Sequence, residues 1–251
     1  MKKSGNTLID PNHYRNVYVT SDLHLGHENI LSYEYSRYEM MGTNEQTALY
    51  RTLKEMNLSP EEEDKLIDEE WESISKQCRH NYIKKHDEKL IENWNSVVKN
   101  GDLVYILGDF SYKNGIGTNE YLQKMNGDKV LIRGNHDHIF LDDKKFDRTL
   151  LKEIYDYKEL KYKKNMIILF HYPIMVWNKQ HKGTIHLYGH IHSNKTTSHP
   201  AKYSVENSYN VGVDVNNYKP VRLDDFLENN RIRDARENGD MLLRNEYLQL
   251  Y

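Results

Sequence analysis

Five short apolar segments, each followed within three residues by aspartate, asparagine or histidine, constrain the fold of this chain more than any other feature. The segments are NVYVT, DLVYIL, VLI, MIILF and TIHLY. Their length and composition predict buried β-strands, and helical patterns between several of them predict an α/β fold. The polar side chains that follow the segments are Asp22 and His24, Asp109, Asn135 with His136 and Asp137, His171, and His190 with His192.

These strand ends predict one shared site. Each end alone has an ordinary explanation, such as a polar turn or a helix N-cap. Ligands of open α/β sheets bind just beyond the carboxyl ends of the strands, so five such ends in one chain indicate a common centre. The donors are carboxylates, imidazoles and an amide without any thiolate, a set that suits manganese, iron or zinc. They are too many for one ion and about enough for two.

Length and composition limit the classes of protein to which this chain can belong. The chain has 251 residues, 37% hydrophobic and 29% charged, and we expect one globular domain over 1–251, with a helical segment at about 223–251. No apolar run could span a membrane and none follows the first lysines, so we expect no membrane partner and no signal peptide. The single cysteine, Cys78, cannot form an internal disulfide, which favours the cytoplasm. The sequence indicates no oligomeric state.

Residues from about 33 to 88 lack strand patterns and are rich in glutamate, lysine and tyrosine. Ser59 and Glu62 form a capping-box signature that predicts the start of a helix. Four apolar residues then recur at helical spacing: Leu66, Ile67, Trp71 and Ile74. A further helix is predicted at about 81–98. We expect this helical insertion to shape access to the metals, with a structural decoration or a dimer contact as the alternatives.

The motifs resemble those of the calcineurin-like metallophosphoesterase superfamily, in the order of that family. They are DxH at Asp22 and His24, GD at Asp109, GNHD at 134–137, a single histidine at His171, and GHxH at 189–192. The segments SDLHLGHENI, LIENWN, LGDFS, FHYP and VGVD are also similar to a small bacterial and phage-encoded branch. The resemblance implies a four-layer αββα sandwich of two mixed sheets.

The same resemblance implies a site with two divalent ions, manganese first and iron, zinc or nickel as alternatives. The first ion would be held by Asp22, His24, Asp109 and His192. The second would be held by Asp109, Asn135, His171 and His190, so that Asp109 bridges the two. A hydroxide shared by the ions would attack phosphorus, with His136 as general acid. Asp137 would either orient His136 or stabilise the turn.

The leading hypothesis is hydrolysis of a small phosphoester, a phosphodiester or phosphomonoester of nucleotide-like character. A nuclease acting on DNA or RNA is the alternative, although a net charge of −3 disfavours tight binding of polyanions. A non-catalytic metal-binding scaffold is a third reading. Protein-phosphatase branches follow GD with Asp-Arg-Gly, whereas Asp109 is followed here by Phe110, Ser111 and Tyr112, which argues against that role.

Overall fold

The computed structural model describes residues 9–42, 55–56, 58–193 and 205–228. Within these residues the chain forms two mixed β-sheets. The strands are β1 (Val17–Thr20), β2 (Leu103–Ile106), β3 (Asp128–Ile132), β4 (Glu153–Tyr155), β5 (Tyr157–Tyr162), β6 (Asn165–Phe170), β7 (Ile185–Tyr188), β8 (Ser208–Asn210) and β9 (Val221–Arg222). All five predicted apolar segments form strands, namely β1, β2, β3, β6 and β7.

The first sheet has the order β4-β3-β2-β1-β9, in which β1 to β4 are parallel and β9 is antiparallel to β1. The second has the order β5-β6-β7-β8, in which β6 to β8 are parallel and β5 is antiparallel to β6. Because neighbouring parallel strands end at the same edge of a sheet, the polar residues that follow β1, β2 and β3 are neighbours, as are those after β6 and β7.

Helices flank these sheets. The described helices are α1 (Ile30–Tyr33), α2 (Arg37–Met41), α3 (Pro60–Ser73), α4 (Lys76–Val97), α5 (Gly115–Lys124) and α6 (His138–Leu141). Residues 223–228 are also helical, and the remainder of the expected C-terminal helical segment, 229–251, lies outside the described residues. The predicted α/β sandwich of two mixed sheets with flanking helices is therefore confirmed. Among the described residues, no helix combines the length and apolar composition that crossing a membrane requires.

The alternation of side chains along the first sheet explains the layers. In β1, Val17 and Val19 face a core shared with Leu169 and Leu187 of the second sheet, whereas Tyr18 faces the helices. On that outer side Trp94 of α4 is fully buried. The two sheets therefore pack face to face, with α4 against the opposite face of the first sheet.

The insertion packs as its apolar spacing predicts. Ile67 and Trp71 are buried in a cluster with Tyr35 and Tyr38, and Leu66 and Ile74 pack against its margin. The capping box is present: the hydroxyl of Ser59 accepts from the amide of Glu62, and the Glu62 carboxylate accepts from the amide of Ser59. The next helix, predicted from about 81, already begins at Lys76 because Ser75 caps it. Residues 43–54 and 57 of the insertion lie outside the described part.

Candidate metal centre

The polar ends of the five strands converge, and six of the side chains form two compact groups. Asp22, His24 and His192 form the first group, and Asp109, His171 and His190 form the second. Within each group, one ligand atom per residue lies within 4.8 Å of the others. Both groups combine residues from the two sheets. The structure thus brings together the carboxylates and histidines that the sequence selects.

Asp109 lies between the two groups. Its Oδ2 is 3.5 Å from Nε2 of His24 in the first group and 3.5 Å from Nε2 of His171 in the second. Its Oδ1 accepts a hydrogen bond from the backbone amide of His136 at 2.9 Å. One carboxylate oxygen is therefore placed where it could serve two cations, as a bridging ligand must.

Two buried histidine nitrogens are left without a suitable hydrogen-bond partner, and they test whether these residues fit metal ions. Nε2 of His24 is buried and has no hydrogen-bond partner among the described residues. Nδ1 of His171 lies 2.7 Å from the carbonyl oxygen of Leu107, to which it must donate. Nε2 of a neutral His171 is then an acceptor, and it faces Oδ1 of Asn135 at 3.0 Å. Buried acceptors of this kind are costly unless a cation satisfies them, so the donor set fits divalent metals.

The backbone at these residues is unusual. Five of the seven expected ligands have positive φ: 58° at Asp22, 51° at His24, 52° at Asp109, 71° at His190 and 46° at His192. This left-handed conformation is uncommon outside glycine and costs of order 1–3 kcal/mol per residue. Strain repeated at the ends of three strands, β1, β2 and β7, indicates that the surrounding structure holds these side chains in place at the expense of backbone stability.

Two glycines permit the close approach of the ligands. A Cβ on Gly134 would lie 2.3 Å from Oδ1 of Asp109, and one on Gly189 would lie 2.3 Å from Oδ2 of Asp22. The carboxylate of Asp22 also accepts from the amide of His190 at 3.0 Å. The glycines of the GNHD and GHxH motifs are therefore needed for space beside the two carboxylates.

Asp137 stabilises the turn rather than the His136 ring. Its buried carboxylate accepts hydrogen bonds from the amides of Asp109, Phe110 and Gly134 at 3.0, 2.9 and 2.8 Å. Burial, followed by the negative charge of Asp109, raises the pKa of Asp137 to about 6, although the amide bonds oppose the shift. Of the two predicted roles, these contacts favour the structural one.

His192 is oriented by a residue to which the sequence assigned no role. Nδ1 of His192 lies 2.7 Å from Oδ2 of Asp214, which directs Nε2 towards the first group. Carboxylates that orient ligating histidines in this way raise the basicity of the ligand. Burial disfavours the charged ring, but the hydrogen bond and charge of Asp214 outweigh it and raise the pKa of His192 to about 9.

The pKa of His24 is shifted in the opposite direction to that of His192. Burial, together with the positive charges of His192 and Arg37, holds the pKa of His24 well below its ordinary value. The imidazole of His24 is therefore neutral, which is the form that binds a metal, whereas a metal bound by His192 would have to displace a proton.

Arg37 of the insertion binds Asp214 and the backbone of the loop that carries Asp22. Its fully buried guanidinium donates to both carboxylate oxygens of Asp214 at 2.8 and 2.9 Å. It also donates to the backbone oxygens of Asp22 and Leu23, at 2.7 and 2.9 Å, and to Nε2 of His86 at 2.9 Å. No sequence motif marks Arg37, because it is a lone arginine in a charged helical segment.

An aromatic cluster borders the first group. The ring of His27 stacks on Tyr112, with centroids 4.0 Å apart and planes 8° from parallel. Tyr112 lies 5.2 Å from the ring of His136, and Tyr33 lies 6.0 Å from His27. Tyr33 and Tyr112 are 55% and 39% exposed, so both side chains are accessible to solvent, Tyr33 next to His27 and Tyr112 next to His27 and His136.

Comparisons with known proteins agree with this geometry. A family model described as calcineurin-like phosphoesterase matches residues 15–246, which include all seven expected ligands. The chain is 34% identical over 156 residues to MJ1445, an uncharacterized protein of Methanocaldococcus jannaschii; the match covers 61% of this chain and 80% of that protein. It is also similar in structure to AQ665, a protein of unknown function from Aquifex aeolicus. That similarity has a TM-score of 0.51 and 24% identity, over 85% of this chain and 98% of the other, and supports the fold.

Proposed function

The chain belongs to the calcineurin-like phosphoesterase family, whose members are metal-dependent hydrolases, and we propose that it cleaves a small phosphoester at the two carboxylate–histidine groups. The single observation that carries the proposal is Oδ2 of Asp109, equidistant at 3.5 Å from a histidine of each group. A bridging carboxylate is what a two-ion site needs, and such sites act on phosphoryl groups.

The residues divide into ligands and a proton donor. We assign Asp22, His24, Asp109 and His192 to one ion, and Asp109, Asn135, His171 and His190 to the other. Divalent ions held by these residues, with manganese as the first candidate, would neutralise charge on the phosphoryl oxygens and lower the pKa of a bound water molecule.

His136 is left for proton transfer to the leaving oxygen, since its amide binds Asp109 while its ring lies 5.4 Å from that of His24. Asp137 keeps that loop in place through its three amide contacts.

The substrate is proposed to be nucleotide-like. The exposed side chains of Tyr112, beside His136, and Tyr33, beside His27, border the site, and stacking on aromatic side chains is a common way to hold a base. The charge balance of the chain argues against a long polyanion as substrate, because binding of that kind depends on many lysines and arginines.

The test is metal-dependent turnover by the full chain. The protein is stripped with a chelator, loaded with manganese, iron, zinc or nickel, and assayed on p-nitrophenyl phosphate, bis(p-nitrophenyl) phosphate, cyclic nucleotides and dinucleotides. Turnover that appears only with metal and is lost in Asp109→Asn supports the proposal. Two bound ions without turnover of any phosphoester would favour the scaffold. Cleavage confined to oligonucleotides, with steep salt dependence, would favour the nuclease.

A further inference from the structure

A cavity of about 220 Å³ opens beside the second group of ligands. Six residues line it: Arg133, Gly134, His138, Asp156, Phe170 and Tyr172. None of them is an expected metal ligand, so the phosphoesterase chemistry leaves the cavity without a role.

Three residues that line the cavity are sequence neighbours of expected metal ligands. Gly134 directly precedes the expected ligand Asn135, and Phe170 and Tyr172 flank His171. The Tyr172 ring lies 4.8 Å from the ring of His171 and 4.7 Å from that of His190. The cavity is therefore the neighbouring space for a substituent on a phosphorus atom held at the second group, with Tyr172 between the cavity and the two histidines.

The lining suits a flat ring. Four of the six residues, Arg133, His138, Phe170 and Tyr172, present planar π groups. The rings of Phe170 and Tyr172 are 5.5 Å apart and inclined by 61°, so a planar guest can stack on one and meet the edge of the other. Guanidinium planes also stack on aromatic faces.

The charges of the cavity disfavour a second phosphate. Nε of Arg133 donates to Oδ1 of Asp156 at 2.6 Å, so an adjacent carboxylate offsets the charge of the guanidinium, in a pair whose side chains are 50% and 70% exposed. The carboxylate of Asp156 would repel an anion but can accept from the N–H groups of a heterocycle. The cavity therefore favours a neutral planar ring over a charged group.

The position of the cavity relative to His136 distinguishes the leaving group of the substrate from the group that stays on phosphorus. The His136 ring contacts the rings of His24, His27 and Tyr112, all beside the first group. A leaving oxygen that takes its proton from His136 departs on that side, whereas the cavity adjoins His171 and His190. The group in the cavity is therefore one that stays on phosphorus, and a phosphomonoester has no such group.

We propose that the substrate is a phosphodiester whose retained substituent carries a planar aromatic ring, such as a nucleobase, bound in the cavity between Arg133 and Tyr172. In the reaction a water oxygen bonds to phosphorus, the P–O bond to the leaving group breaks, and the leaving oxygen takes up a proton. The product is a phosphomonoester that keeps the ring. This inference rests on the proposed phosphoesterase function.

Two substrates with the same leaving group test the cavity. They are thymidine 5′-(p-nitrophenyl phosphate) and ethyl p-nitrophenyl phosphate, assayed on the manganese-loaded protein. We expect kcat/KM to be higher for the thymidine ester, and the ratio of the two kcat/KM values to fall about tenfold in Arg133→Met, since stacking on a base is worth that much or more. Thymidine 5′-phosphate should also inhibit more strongly than ethyl phosphate, and Arg133→Met should remove that difference.

The control variant is Arg222→Met, because Arg222 forms a similar exposed pair with Asp225 that lies outside the cavity. It should leave the ratio unchanged. Equal kcat/KM for the two esters, an unchanged ratio in Arg133→Met, or faster hydrolysis of p-nitrophenyl phosphate than of the thymidine ester would overturn the cavity assignment. Failure to hydrolyse any of the three esters with metal bound would instead overturn the proposed function, and with it this inference.

Discussion

Arg37 and Asp214, which are 177 positions apart in the sequence, form a buried pair joined by two hydrogen bonds of 2.8 and 2.9 Å. Arg37 belongs to the insertion, whereas Asp214 holds Nδ1 of the expected ligand His192. Burial alone would raise the pKa of Asp214, but the charges and hydrogen bonds of Arg37 and His192 hold it well below its ordinary value. The insertion is therefore built into the support of the first ligand group and is more than a surface decoration.

Replacing Arg37 should weaken metal binding at the first group. Arg37→Lys removes the guanidinium that binds both carboxylate oxygens of Asp214. His192 is then less well oriented, and the metal affinity of the first group should fall about 10–100-fold. The second group should keep its affinity. Isothermal titration of the metal-free protein with manganese would resolve the two sites.

A variant that also removes the charge, such as Arg37→Met, leaves the buried carboxylate of Asp214 uncompensated, which costs about 3–5 kcal/mol and puts folding at risk. The double variant Arg37→Met with Asp214→Asn removes both charges and should be more stable than Arg37→Met alone. Arg222→Lys, at an exposed arginine paired with Asp225, is the matched control. Unchanged affinity of both sites in a folded Arg37→Lys protein would remove the supporting role of Arg37.

Asp109 and Asp22 should differ in their effect on metal content. Asp109→Asn neutralises the carboxylate between the groups, so it should lower occupancy at both sites and abolish turnover. Asp22→Asn touches only the first group and should leave about one ion bound per chain. Metal analysis after gel filtration measures both. Two ions retained in an active Asp109→Asn protein would exclude the bridging assignment.

His136 should affect turnover without affecting metal content. In His136→Gln we expect a loss of about 10²–10⁴ in kcat for diesters with poor, alkoxide-like leaving groups. The loss should be much smaller for p-nitrophenyl esters, whose leaving group needs little protonation. Equal losses for both classes would point to substrate binding instead. His181→Gln, at an exposed histidine in the Gln180–Lys182 turn, serves as the control.

The sequence predicted the five strands that carry the site, because their apolar runs are buried on both faces, and it predicted that their polar ends meet. It missed β4, β5 and β9, which are three of the four edge strands; the fourth, β8, overlaps the segment YNVGVD, whose valines do indicate a strand. Edge strands are less buried and more polar, as YKELKY in β5 illustrates, so they lack the apolar signal. The role of Arg37 was not predicted for another reason: it depends on a contact with a residue 177 positions away, which only the tertiary structure reveals.

The acid sensitivity of the fold should depend on His186, which is fully buried in β7 away from the metal ligands. Burial lowers its pKa to about 4, despite hydrogen bonds to the backbone oxygens of Ile168 and Tyr172 that act in the opposite sense. The unfolded chain has the ordinary value of 6.5, so between pH 6.5 and 4 the unfolded state binds more protons than the folded state. Stability should therefore fall as the pH falls through that window, by about 2–3 kcal/mol from this residue.

His186→Gln keeps a polar side chain at this position but cannot titrate, so its stability should change less over the same window. The measurement is the free energy of unfolding in urea at several values between pH 7 and 4, in the presence of a chelator. Because other buried histidines also titrate, the decisive quantity is the difference between the wild type and the variant at each pH. That difference should shift by about 2–3 kcal/mol in favour of His186→Gln on going from pH 7 to 4. Parallel curves for the two proteins would show that His186 is not the group responsible.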